Sequence, residues 1–169
     1  MLLIFSVPRF ASALISASDS IFVGHFMKGD ESTLTGDASF TLVTPISHMR
    51  CDHQFYSFYG YDFDDTGPPS ETQNGSYVNI VARSADIDDL LLDGQALSGG
   101  GSCLDYTRTD YVSGGWSWAR CLLSDPPSGG EPHTLAQPGW PVPQDARFAA
   151  YAYGQRVEGA YSYPTGFGF

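Results

Sequence analysis

Turn-forming residues recur along this chain, and the runs between them are short and either apolar or alternating. Gly67-Pro68-Pro69, Gly99-Gly100-Gly101, Asp125-Pro126-Pro127 and Ser128-Gly129-Gly130 each interrupt regular structure. Proline fixes φ and lacks a donor, while glycine admits positive φ, so such clusters mark turns. The runs 14–16, 21–27, 40–44, 54–61, 77–83, 103–112, 116–123 and 147–153 read as strands. Within 148–153, Phe148, Ala150 and Ala152 share one face and Ala149, Tyr151 and Tyr153 the other, which predicts an inner strand. The helical candidate is 84–92, where Ser84 would cap the start, Asp86, Asp88 and Asp89 would meet its positive end, and Gly94 would close it. Gly (19), Pro (11), Tyr (10) and Phe (11) abound, and Lys28 is the sole lysine. The pattern predicts an all-β protein, an antiparallel β-sandwich (jelly-roll-like) with at most one short helix, forming a single domain over residues 1–169.

Charge narrows the partners. Lys plus Arg total 8 against 19 Asp plus Glu, a formal net charge of -11, which repels phosphate backbones and anionic lipid. Nucleic acid is therefore excluded as a partner class. Runs of about 18 apolar residues are lacking, so membrane insertion is not expected. Ala11-Ser12-Ala13 imitates a signal-peptidase site, yet no Lys or Arg precedes the apolar stretch, and Pro8 and Arg9 interrupt it. A chain cut from a longer secreted precursor is the better expectation.

Catalytic motifs do not emerge. The sequence contains no G-x-S-x-G, P-loop, G-x-G-x-x-G opening a helix, or H-E-x-x-H. His25, His48, His53 and His133 do not pair at the spacing of a closed zinc site; Cys51 and His53 lie two apart, but two ligands are not four. Asp62, Asp64 and Asp65 before Gly67 resemble a calcium loop without its distal glutamate, so a solvated turn is expected and a looser calcium site is the alternative. No enzyme activity, catalytic residue, cofactor or tight metal site is expected.

Three cysteines leave one over. Cys103 and Cys121 flank two strands around Ser113-Gly114-Gly115, almost opposite each other across a hairpin, so they are expected to form a disulfide. Cys51 then is either free and buried or joined to another chain. Asn74-Gly75-Ser76 makes Asn74 a glycosylation candidate, although Asn-Gly also forms turns on its own account. No charged residue follows Glu158, and Tyr161, Tyr163, Phe167 and Phe169 concentrate aromatics there. These four are the expected protein interface, the alternative being a last strand buried in its own sandwich.

The segments IFVGHFMKGDES, GDASFTLVTPISHM, SYVNIVARSADIDDLLLDGQAL, EPHTL and RFAAYAYGQRVEGAYSYPTGFGF, in this order, resemble the N-terminal domain family of IgG-Fc-binding proteins over about residues 21–166. Two departures are the long Pro- and Gly-rich stretch 124–145 around His133 and the unmatched residues before Ile21. The resemblance implies an extracellular, secreted module of mucin-like or matrix hosts, with a binding or structural role and no catalytic residues to carry over. Its name does not license immunoglobulin binding, because a family does not fix the partner. The expected function is adhesion or assembly through other protein domains, copies of this chain included. A carbohydrate-binding sandwich is the alternative, with Trp116, Trp118 or Trp140 as a platform for glycans.

Overall fold

Side-chain alternation organises the chain into sheets. The computed structural model describes residues 15–19, 21–27, 39–58, 75–110, 115–124, 130–138, 147–156 and 159–166. Among them lie β1 (Gly24–Met27), β2 (Ser39–Leu42), β3 (Asp52–Tyr56), β4 (Gly75–Arg83), β5 (Leu91–Leu92), β6 (Gln95–Ala96), β7 (Cys103–Asp110), β8 (Trp116–Leu123), β9 (Pro132–Ala136), β10 (Ala149–Arg156) and β11 (Gly159–Pro164). A five-stranded sheet runs β11-β10-β4-β8-β7, a four-stranded sheet β3-β9-β5-β6, and β1 and β2 form a separate ribbon. Every ladder is antiparallel.

The two larger sheets enclose one core, which makes the fold a β-sandwich. From the five-stranded sheet, Val78, Ile80 and Ala82 of β4, Ala119, Cys121 and Leu123 of β8, and Ala150 and Ala152 of β10 point inward. Phe55, Leu92 and Leu135 meet them from the other sheet, with Ile87, Leu90 and Leu97 at the rim. Small alanines on one layer leave room for larger side chains from the other, so the layers interlock. The sheets are tied at a corner where Phe148 N–H donates to the Arg50 carbonyl at 2.7 Å and Arg50 N–H to the Phe148 carbonyl at 3.1 Å.

The inner-strand expectation for 148–153 holds, since β10 lies between β11 and β4. The helix expected over 84–92 does not form. Residues Ile87–Asp89 make one 3₁₀ turn, and Leu91–Leu92 pair with β9. Ser84 makes no cap: its hydroxyl accepts from Ser117 Oγ at 2.7 Å, and its N–H donates to the Gly115 carbonyl at 2.9 Å. Burial of Leu90 and Leu92 two residues apart outweighs helix propensity, because a ladder needs that spacing. Ile15 and Ser16, expected in a strand, lie in none, and Leu14 is outside the described residues. The 54–61 run ends its ladder at Tyr56, with 59–61 outside the described residues, and the 103–112 run ends at Asp110, with 111 and 112 likewise outside.

Candidate functional site

Cys103 and Cys121 are disulfide-bonded, their Cα atoms 5.4 Å apart. They are not directly opposed: Cys121 faces Tyr106, Cys103 faces Leu123, and an irregularity between Cys103 and Asp105 shifts the register. Both cysteines lie inside the core. Cys51 is a free thiol of intermediate burial beside Asp52.

The C-terminal tyrosines are built into an edge. Register places Tyr161 opposite Gly154 and Tyr163 opposite Ala152, on the inward side of the sheet. The Tyr161 ring occupies the space above Gly154, where an added Cβ would come within 2.3 Å of Cε1, so that position requires glycine. Tyr163 Oη accepts from the Tyr56 N–H at 2.9 Å and donates to the Tyr56 carbonyl. Tyr161 Oη accepts from the Phe58 N–H at 3.4 Å and donates to Ser76 Oγ at 2.8 Å. Burial pushes the Tyr163 phenol up, only partly offset by its bond to the Tyr56 backbone. Two phenols thus bond the backbone at the last residue of β3 and just beyond it, at Tyr56 and Phe58.

What they leave outside is apolar. Tyr56 is 46% and Phe58 53% exposed, and the Phe58 ring stands edge-on to Tyr56, Tyr161 and Tyr163 with centroids 5.7, 4.9 and 6.0 Å away. Tyr161 and Tyr163 are half-buried against the core, and Phe167 and Phe169 lie outside the described residues. Asn74, Trp140 and the Asp62–Asp65 loop are outside them too. Sequence reasoning missed Tyr56 and Phe58; their closeness to Tyr161 depends on a pairing of distant segments that no local pattern reports.

Two histidines are buried inside the four-stranded sheet. His133 Nδ1 donates to Asp93 Oδ2 at 2.8 Å, and the Thr134 N–H donates to Asp93 Oδ1 at 2.8 Å. Asp93 (φ 52°) and Gly94 (φ 79°) form the tight turn joining β5 to β6, a conformation that Asp and Gly tolerate. Burial alone would raise the Asp93 carboxyl, but bonds from His133, Thr134 and Ser102 carry it below the usual range. The His133 side chain is 0% exposed, while that of Asp93 is 27% exposed, so the imidazole is buried and the pair meets solvent through the carboxylate alone. Among the described residues, no three His, Cys, Asp or Glu side chains converge as metal ligands.

His53 ties the sandwich corner to the end of β11. Its Nε2 donates to the Phe148 carbonyl at 3.0 Å, and its Nδ1 meets Thr165 Oγ1 at 2.8 Å and the Thr165 carbonyl. Burial holds its pKa below the ordinary 6.5, although backbone bonds to Thr165, Phe148 and Arg50 and the charge of Asp52 pull the other way. Below pH 6.5 the unfolded chain takes up a proton that the folded chain refuses, so stability is full above that pH and declines as pH falls toward the folded value. The loss is about 1.4 kcal/mol for each unit of separation between the two values. Urea unfolding at pH 8 and pH 5 is expected to show this slope in the native chain and its removal in His53→Gln. An unchanged slope in the variant counts against His53 as its source.

Comparison with known families decides the wider placement: the IgGFc binding protein family matches residues 4–154. The chain belongs to the IgGFc binding protein family. No curated protein and no solved structure matches it. The match begins well before Ile21, where no likeness was expected, and it stops at Gly154, so β11 with Tyr161 and Tyr163 lies beyond it. The IgGFc binding family is one of extracellular protein-binding modules, which agrees with the disulfide. No helix among the described residues is long and apolar enough to cross a membrane. Trp116 and Trp118 are half-buried, the Arg83 guanidinium sits 4.4 Å over the Trp116 ring, and Tyr77 and Tyr153 stack on each other at 5.1 Å.

Proposed function

We propose that this chain is a non-enzymatic extracellular adhesion or assembly module, one domain of a larger secreted protein, acting through contacts with other protein domains. The observation that carries this reading is the exposed aromatic group of Tyr56 and Phe58, held in place by Tyr161 and Tyr163 at the end of β3. Rings fixed by their own sheet lose little entropy on contact, so they suit an interface core. Family membership supports protein partners, and Phe167 and Phe169 are assigned to the same contact as the following residues of the chain. Asn74, just before β4, is proposed as a glycan-bearing surface position.

Surface plasmon resonance with the chain immobilised, run against free chain, immunoglobulin Fc and deglycosylated mucin, is expected to give a signal from at least one protein. A Tyr56→Ser/Phe58→Ser variant should lower that signal about ten-fold, the effect of removing one interface anchor. Binding confined to glycans, and lost with Trp118→Ala, would instead establish the carbohydrate-binding alternative.

A further inference from the structure

On the five-stranded sheet the chain sets its own guanidinium groups over its outward rings. The Arg83 guanidinium lies 4.4 Å over the Trp116 ring, and that of Arg120 lies 5.5 Å over Tyr77 while pairing with Asp105 at 3.7 Å. Ring, cation and carboxylate complete one another there, because the ring face and the carboxylate both attract the positive charge. The Tyr56–Phe58 surface has two of these three parts. Its rings are exposed, and among the described residues no guanidinium or ammonium group lies over either. A carboxylate borders them: Glu131 follows Gly130, whose carbonyl accepts from Tyr56 Oη at 2.9 Å. The Ser57 N–H donates to the Glu131 carbonyl at 3.0 Å and the Glu131 N–H to Ser57 Oγ at 2.9 Å, which fixes Glu131 beside the residue that separates the two rings in sequence.

The sequence adds the sign of the local field. The stretches that build this surface, 51–82, 121–146 and 157–169, contain acidic residues and not one Lys or Arg, in a chain of net charge -11. The cations that border those stretches have other places. Arg50 pairs with Asp52 at 3.7 Å, Arg83 and Arg120 serve the five-stranded sheet, Arg147 precedes β10 and Arg156 ends it.

We infer that the Tyr56–Phe58 surface docks an arginine-bearing segment of a protein partner, whose guanidinium groups lie on the two rings and meet Glu131. This rests on the reading of the chain as a protein-contact module and names the chemistry of the partner at that same surface. The partner supplies in trans the cation that Arg83 and Arg120 supply in cis on the other sheet. Arginine suits the place better than lysine, because its planar and weakly hydrated head stacks on a ring and still donates to a carboxylate. A strongly negative molecule also draws a basic partner from a distance and repels an acidic one.

Titration calorimetry of the full chain with three Gly/Ser peptides of about ten residues, alike except for carrying several arginines, lysines or glutamates, tests this at about 0.1 M salt. The arginine peptide is expected to bind with a Kd of about 100 µM, the lysine peptide about five-fold more weakly and the glutamate peptide not at all. Tyr56→Ser/Phe58→Ser should weaken the arginine peptide about ten-fold and Glu131→Gln about three-fold. Asp89→Asn removes the same charge from the exposed 3₁₀ turn beyond the far end of β4 and should leave binding unchanged. Circular dichroism and melting temperature check the fold of each variant, and the comparison of Glu131→Gln with Asp89→Asn decides even if the ring variant does not fold. Equal weakening by those two, or binding untouched by a folded ring variant, marks attraction to the overall charge and overturns this surface. A lysine peptide that binds as tightly as the arginine one overturns the stacked guanidinium. If no arginine peptide binds while Tyr56 and Phe58 still capture a protein in the resonance assay, the cationic partner is overturned and the contact reading stands, whereas silence in both assays sinks both.

Discussion

Phe148→Ala is expected to cost about 4 kcal/mol of unfolding free energy, the largest single-residue effect in the chain. Phe148 is fully buried and lies 4.5 Å from the His53 ring, centroid to centroid. Its backbone forms the corner between the two larger sheets, through both hydrogen bonds to Arg50 and the carbonyl that receives His53 Nε2. Alanine keeps the backbone bonds but empties the space between β3 and β10, and a corner held from both sheets collapses poorly into a void. Against the 5–15 kcal/mol typical of a folded domain, about 4 is a large share. Phe148→Leu, filling part of the space, should lose about 1 to 2 kcal/mol, and Phe58→Ala, at an exposed site, should stay within about 0.5. Urea midpoints with an unchanged m-value read this out. Equal costs for Phe148→Ala and Phe58→Ala would show that the corner is not a packed part of the core.

Much of this fold was legible because antiparallel sheets write themselves into sequence with period two. β4 and β8 bury every second residue along most of their length, and both were readable within about two residues of their bounds. The short strands were not. β5 and β6 have two residues each, too few for any period, and the three consecutive leucines of 90–92 suit a helix face as well as a ladder. β9 escaped the reading by period, though the family resemblance covered EPHTL, for a different reason: its inward positions are His133 and Leu135, and a histidine scores as polar although here Asp93 satisfies it. Tyr161 and Tyr163 could be singled out from the lack of charge after Glu158, but not their roles. Their hydroxyls bind a strand more than a hundred residues earlier, and only tertiary structure states such a partnership.

Loss of the disulfide in Cys103→Ala/Cys121→Ala is expected to cost about 3 kcal/mol, the closure entropy of a loop this size. The sequence separation is 18 residues. At that spacing the unfolded chain loses freedom through the cross-link while the folded one loses little, since β7 and β8 already bring the two backbones together. Both sulfurs sit in the core, where the residual thiol volume is replaced by alanine methyls against Val78 and Tyr106, so a small packing loss adds to the entropic one. For a chain of this length the melting temperature should fall by roughly 10 °C. The double serine variant should fare worse than the double alanine, because each hydroxyl would need a partner inside an apolar layer. Calorimetry of the oxidised chain and both double variants measures this, and non-reducing peptide mapping fixes the pairing. If both cysteines are alkylated in the native protein, or if the alanine variant melts within about 2 °C of the parent, the bond contributes nothing to the fold and the hairpin stands on its ladder alone.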